Sequence, residues 1–250
     1  MSTENRIDGG HFNGDVFMAE HITQILPGRP HPALSGMPRH SPTFTGRETQ
    51  LDQILAVLRP EETAATVVVT GLAGMGKTEL VLQAAHRAQQ EDGWFPGGVL
   101  FVDLHGYDPV HKVSPKRALA TLLRALGVPP DHIPTRIEER AAVYRTVLAE
   151  RAKDGQRMLV VLDDVPAGEK IHHLLPGDES TATLLSSRHV LADLDALTLT
   201  LRELMPASGR KLMSEVLSRA LPNDSRVTVA PEDADRIVAL CGGVVSRGVV

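Results

Sequence analysis

The segment that most limits what this chain can fold into is Gly71-Leu72-Ala73-Gly74-Met75-Gly76-Lys77-Thr78, which fits the pattern G-x-x-x-x-G-K-[ST]. In front of it, Ala65 to Thr70 is built on three consecutive valines. Such a short β-branched run without alternation suits a strand covered on both faces. Behind it, residues 77–90 place Leu80, Val81, Ala84, Ala85 and Ala88 on one helical face, and Gly93 supplies a stop. Strand, glycine loop and helix form a phosphate cradle: glycines let successive backbone N–H groups curl around an anion, and the helix aims its N-terminus at it. A chance match in a chain of this length has odds of about 1%. The plain alternative, a glycine-rich turn before a helix, explains less of this context. On the phosphate reading, Gly71, Ala73, Gly74, Met75, Gly76, Lys77, Thr78 and Glu79 hold the nucleotide. Lys77 reaches the β- and γ-phosphates, and the Thr78 hydroxyl binds magnesium.

The run Leu159-Val160-Val161-Leu162-Asp163-Asp164 supplies a second half to that site. A carboxylate at the tip of a buried strand can face the magnesium held by Thr78, and Asp163 is the candidate. Asp164 could orient or deprotonate an attacking water, although acidic residues also end strands merely as turn formers. In Ser186-Ser187-Arg188, closing a later strand, Arg188 could reach a γ-phosphate and report its presence. By itself an arginine after a strand is usually just solvated.

Around these motifs strands and helices alternate, which means a parallel sheet. Leu51, Ile54, Leu55 and Leu58 recur at helical spacing, and Pro60 with the polar residues behind it ends that helix near Arg59. A second strand covers Val99 to Leu104. Ser114-Pro115 then opens a helix as N-cap and first-position proline, with Gly127 marking its end. Thr135 with Glu138 makes a capping box for a helix through about Arg151. Met158 to Leu162 is the third strand, and Thr183 to Ser186 and Leu197 to Leu201 are two more. Residues 1–42, dense in glycine and proline and with one strand-like stretch at Asp15 to Ala19, read as a leader and linker. Residues 43–202 form the nucleotide-binding domain, and 203–250 read as the start of a small helical subdomain.

Composition excludes several other roles. Twenty-six Lys and Arg against 31 Asp and Glu leave a net charge of -5, with no sequence-wide pull toward nucleic acid or an acidic membrane. No apolar run approaches the roughly 20 residues that cross a bilayer. The single cysteine, Cys241, cannot form an intrachain disulfide or a multi-thiolate metal site, and the polar start lacks the apolar core of a secretory signal. A cytoplasmic protein is expected. The eleven histidines, including His172-His173, show no metal-ligand spacing and read as surface residues. No nucleophile elbow occurs, so hydrolase chemistry beyond nucleotide hydrolysis is unsupported.

Taken together, Phe44-Thr45-Gly46-Arg47-Glu48, the glycine loop, Leu162-Asp163-Asp164, Ser187-Arg188 and Cys241-Gly242-Gly243 resemble the NB-ARC group of STAND ATPases. The stretch from Val99-Leu100-Phe101-Val102-Asp103-Leu104-His105-Gly106-Tyr107-Asp108-Pro109 through Ala125-Leu126-Gly127-Val128-Pro129-Pro130 is similar to bacterial regulators in which this ATPase precedes helical repeats. The resemblance covers about residues 43–243. It implies an α/β fold, a P-loop NTPase three-layer sandwich whose five-stranded parallel sheet has the order 2-3-4-1-5. It implies that Phe44, Thr45 and Arg47 lie against the adenine, where a turn and ordinary helix start is the plainer reading. It further implies an ATP/ADP switch with Mg2+, in which ADP holds a closed form, ATP opens the protein to form a homo-oligomer and engage a protein effector, and slow hydrolysis resets it.

The chain departs from the family where a Leu-Pro-Leu segment usually follows the Cys-Gly-Gly: here it reads Val244-Val245-Ser246-Arg247. One adenine contact is missing on that reading, and a fragment, a truncated reading frame or a free-standing module is expected. Two further readings are a P-loop phosphotransferase acting on a small acceptor and a module that binds nucleotide without switching. The first would need an acceptor pocket and lid, yet residues 103–157 show two capped helices instead. DNA binding is not expected, because no basic stripe is present.

Overall fold

The computed structural model describes residues 36–63, 65–167 and 170–241. The strand-like stretch at Asp15 to Ala19 and the segment after Cys241 lie outside these residues. In chain order the elements are α1 (Glu48–Val57), β1 (Thr66–Thr70), α2 (Lys77–Gln90), β2 (Gly98–Asp103), α3 (Pro115–Ala125), α4 (Ile137–Lys153), β3 (Met158–Val165), β4 (Ala182–Ser187), β5 (Leu197–Thr200), α5 (Pro206–Ala220), α6 (Arg226–Val229) and α7 (Pro231–Leu240). Every strand pairing is parallel and the order is β2-β3-β4-β1-β5, as the family resemblance implies.

The continuous apolar strands are explained by helices on both faces. Val67, Val69, Leu159, Val161 and Leu184 pack with Leu51 and Ile54 of α1 and Leu80, Val81 and Ala84 of α2. Their neighbours Val68, Val160, Leu162 and Leu185 point the other way, onto Leu119, Leu122 and Leu123 of α3 and Tyr144 and Leu148 of α4. Successive residues of a strand alternate faces, so a strand with two covers has no polar side to show.

Two helix starts behave differently. Ser114 caps α3 as expected, its Oγ accepting the Arg117 N–H at 3.3 Å with Pro115 in the first turn. The expected capping box at α4 does not form. That helix begins at Ile137 with Arg136 at the N-cap and no side-chain cap, so Thr135 falls outside capping reach. Glu138 instead takes its own backbone N–H, which holds its carboxyl below the usual range.

Ahead of α1 the chain is strapped along α2. The Glu79 carboxylate accepts the Ser41 N–H at 2.6 Å, the Gln83 amide donates to Ser41 O at 2.8 Å, and His86 Nε2 donates to Pro38 O at 3.0 Å. The His40 and His86 rings meet edge to face with centroids 4.8 Å apart. Among the described residues no helix is long and apolar enough to cross a membrane.

Candidate functional site

The glycine loop leaves β1 at Thr70 and enters α2 at Lys77. Gly74 and Gly76 have φ values of 77° and 82°, the left-handed region where only glycine is free of Cβ strain. Conformation, rather than crowding within the protein, demands glycine at Gly76, since a Cβ there would meet nothing within 4 Å. Gly71 needs glycine on both grounds: its φ is 143°, and its missing Cβ would lie 2.7 Å from Leu201 O, in the chain leaving β5.

Lys77 is buried and its Nζ donates to Leu72 O at 2.7 Å, closing the loop on itself. Burial lowers the proton affinity of this ammonium and nearby Arg188 lowers it further, while Asp164 and Asp163 act in the opposite sense. A cation held under that penalty gains most from an anion brought to the loop.

Asp163 stands at the carboxyl end of β3 with a relative exposure of 3%. Thr78 Oγ1 donates to its Oδ1 at 3.1 Å, and the Ser186 hydroxyl donates to the same oxygen. Among the described residues no hydrogen bond falls on Oδ2. Burial raises the Asp163 proton affinity; the two hydroxyls offset this in part, and the Asp103 and Asp164 carboxylates add to it. A buried carboxylate and an adjacent threonine hydroxyl form a hard-oxygen donor set that fits Mg2+, and a divalent cation would relieve the unfavourable burial of the charge.

The sequence places the end of β3 at Leu162, but the strand runs on to Val165 with a register shift between Leu162 and Val165. Asp164 sits in that irregularity with φ of 50°. Its N–H donates to Ser186 Oγ at 2.9 Å and its carbonyl accepts the Gly106 N–H at 2.9 Å. The turned backbone sends the Asp164 side chain toward Arg188, whose Nε is 3.7 Å from Asp164 Oδ1. The Arg188 guanidinium lies over the Tyr107 ring, 4.1 Å from its centroid.

Lys77, Thr78, Asp163, Asp164 and Arg188 are therefore gathered at the carboxyl edge of the central strands, the place where open parallel sheets bind ligands. The Phe44-to-Glu48 segment arrives from the side. Thr45 and Arg47 are buried, and Phe44 packs against the α1/α2 core. The Arg47 guanidinium donates to Met75 O at 3.4 Å and to Arg202 O, joining the glycine loop to the chain after β5. Glu79 turns its carboxylate to the strap at Ser41 and to Gln83, away from the role of a direct phosphate contact.

Sequence reasoning missed Ser186, which lies within a quoted motif and sits beside Asp163 only because β4 pairs with β3. It also missed Tyr107, part of the His-Gly-Tyr-Asp-Pro run, whose position under Arg188 depends on the β2 to α3 loop folding over β3.

A P-loop cradle, a buried acidic strand end beside its threonine and the 2-3-4-1-5 order define a P-loop ATPase domain. The family model described as AAA ATPase domain matches residues 43–245, and the chain belongs to that family. It is 34% identical over 209 residues to Regulatory protein AfsR of Streptomyces griseus, an alignment covering 82% of this chain and 20% of that protein. The corresponding figures for Regulatory protein AfsR of Streptomyces coelicolor are 34% over 207 residues, 80% and 19%. The chain thus spans about a fifth of the length of these curated relatives. Among solved structures, a Signal Transduction ATPase with Numerous Domains (STAND) protein with a tetratricopeptide repeat sensor from Pyrococcus horikoshii superposes with a TM-score of 0.52 at 17% identity, covering 85% of this chain and 30% of that one. The resemblance to NB-ARC/STAND-type ATPases holds.

Proposed function

We propose that this domain binds ATP and ADP with Mg2+ and acts as a nucleotide-dependent switch within a regulator. The observation that carries the reading is the bond chain from Thr78 Oγ1 to Asp163 to Ser186 at the foot of the glycine loop, with the Asp164–Arg188 pair beside it. In this reading the loop N–H groups and Lys77 hold the phosphates, Lys77 giving up Leu72 O to do so. Thr78 and Asp163 hold the magnesium, which neutralises phosphate charge when bound. Asp164 orients water for slow hydrolysis, and Arg188 answers to the terminal phosphate. Phe44, Thr45 and Arg47 form the side on which the base rests. The regulatory assignment draws on the relatives named as regulatory proteins. Formation of a homo-oligomer in the ATP state, engagement of a protein effector and a cytoplasmic setting belong to the same proposal.

The test is thermal unfolding of the purified chain without ligand, with MgADP and with MgATP, alongside Lys77→Ala. At about 100 times the dissociation constant a ligand stabilises by roughly 2.7 kcal/mol, which corresponds to about 5 to 11 °C for a domain of this size. A shift in the wild type that disappears in Lys77→Ala is the expected result. No shift with either nucleotide in a cooperatively unfolding chain overturns the reading.

A further inference from the structure

The loop between β2 and α3 touches β3 and β4 at the point where Arg188 sits. Its Gly106 N–H is bonded to Asp164 O, and its Tyr107 ring lies under the Arg188 guanidinium. The His189 ring stands 5.7 Å from Tyr107, so the phenol is flanked by both residues that follow β4. The Tyr107 hydroxyl is buried, and among the described residues it has no hydrogen-bond partner. Its phenol therefore contributes a ring face here and no polar bond.

We propose that Tyr107 is a positioning residue for Arg188. This inference rests on the nucleotide-switch reading above and adds to it the group that aims the arginine. The Arg188 guanidinium is a planar cation whose five N–H donors lie in its plane. Stacking on an aromatic face satisfies the face of the cation through the ring quadrupole and leaves the edge donors available. Asp164 meets Arg188 from a second direction at 3.7 Å, but that pair is partly exposed and separated, and such pairs hold a side chain weakly. The ring supplies the constraint the carboxylate lacks. Together they hold the cation beside Asp164 at the carboxyl edge of the sheet, the edge from which the glycine loop and Lys77 also leave. Gly106, locked to the Asp164 carbonyl, fixes the height of the loop and hence of the ring.

Because Arg188 answers to the terminal phosphate, a misaimed Arg188 should harm ATP binding and leave ADP binding nearly intact. A ring that merely filled space would affect both nucleotides alike. Titration calorimetry with the magnesium complexes of ADP and of a non-hydrolysable ATP analogue separates the two. In Tyr107→Leu the analogue should bind about 3- to 30-fold more weakly, the range expected for a lost cation–π contact, with ADP changed less than about 2-fold. Tyr107→Phe should restore the wild-type ratio, and Arg188→Ala should reproduce the leucine variant. Equal loss of both nucleotides in Tyr107→Leu, or loss of neither, overturns the inference while leaving the nucleotide site standing. A wild-type chain that binds neither nucleotide sinks the underlying reading before any variant is made.

Should Tyr107→Leu fail to fold, Tyr107→Trp places an indole under the guanidinium. Its emission should change with the ATP analogue and not with ADP, and that response should vanish in Tyr107→Trp combined with Arg188→Ala. A response that survives removal of Arg188 overturns the assignment.

Discussion

Ser186 holds Asp163 and Asp164 with one hydroxyl: it donates to Asp163 Oδ1 and accepts the Asp164 N–H at 2.9 Å. A single buried oxygen therefore fixes a carboxylate and, next to it, a left-handed backbone turn. Ser186→Ala leaves both groups short of a partner in a buried place. The expected loss of stability is about 1–3 kcal/mol, read by denaturant unfolding without ligand. A loss within error would mean that the Asp164 turn is held by its Gly106 contact alone.

Asp163 is disfavoured as a buried anion in the absence of a cation. Its proton affinity is raised in the folded state, so its contribution to stability is fully present below the unfolded carboxylate pKa near 4 and is lost as pH rises through the higher folded value. Asp163→Asn keeps an oxygen for Thr78 and Ser186 and removes the charge. At neutral pH the ligand-free variant should melt higher than wild type and show a flatter dependence of stability on pH in the acid range. It should also lose the magnesium-dependent part of any nucleotide-induced shift. A variant that melts lower at neutral pH and retains that shift would rule out this account of the carboxylate.

Gly106 has no room for a side chain. A Cβ there would run into Asp164 O, near the end of β3, and lie 2.7 Å from Cδ of Pro166, the residue that follows the strand. Gly106→Ala should destabilise the fold by about 1–3 kcal/mol, the usual cost of forcing extra volume into a packed place. Calorimetric unfolding checks it, and an unchanged Tm would show that the β2 to α3 loop can lift away freely.

Tyr144 lies fully buried between α4 and the sheet, and among the described residues its hydroxyl has no partner. Burial pushes the phenol well above its ordinary range. Tyr144→Phe removes an uncompensated polar group without opening a cavity, and should stabilise by about 1 kcal/mol, or roughly 2–4 °C in Tm. A lower Tm would reveal a bond to that hydroxyl.

The parts of the site that are local in sequence were legible there. The glycine loop, its helix from Lys77 to Gln90 and the acidic end of the third strand each depend on residues close together in the chain. Sheet order was available only through the family resemblance, because nothing in a strand's own residues says which neighbour it takes. What stayed hidden depends on close approaches between distant segments. Arg47 reaching Arg202 O, Ser186 bonding Asp163 and Tyr107 lying under Arg188 each join stretches that meet only when the sheet is assembled. The left-handed turn at Asp164 was hidden for the same reason, since the Ser186 and Gly106 bonds that hold it come from other strands or loops. The capping box at Thr135 and Glu138 shows the converse: the residue pattern was present, but α4 starts at Ile137, two residues after Thr135.

The strap of residues 38–41 along α2 has a mechanical consequence. Its bonds end on Glu79, Gln83 and His86, successive turns of the helix that begins at Lys77. Tension applied along residues 38–41 would therefore load that helix in shear, bond by bond. The segment that leads into α1 and the phosphate cradle are thereby tied to one helix.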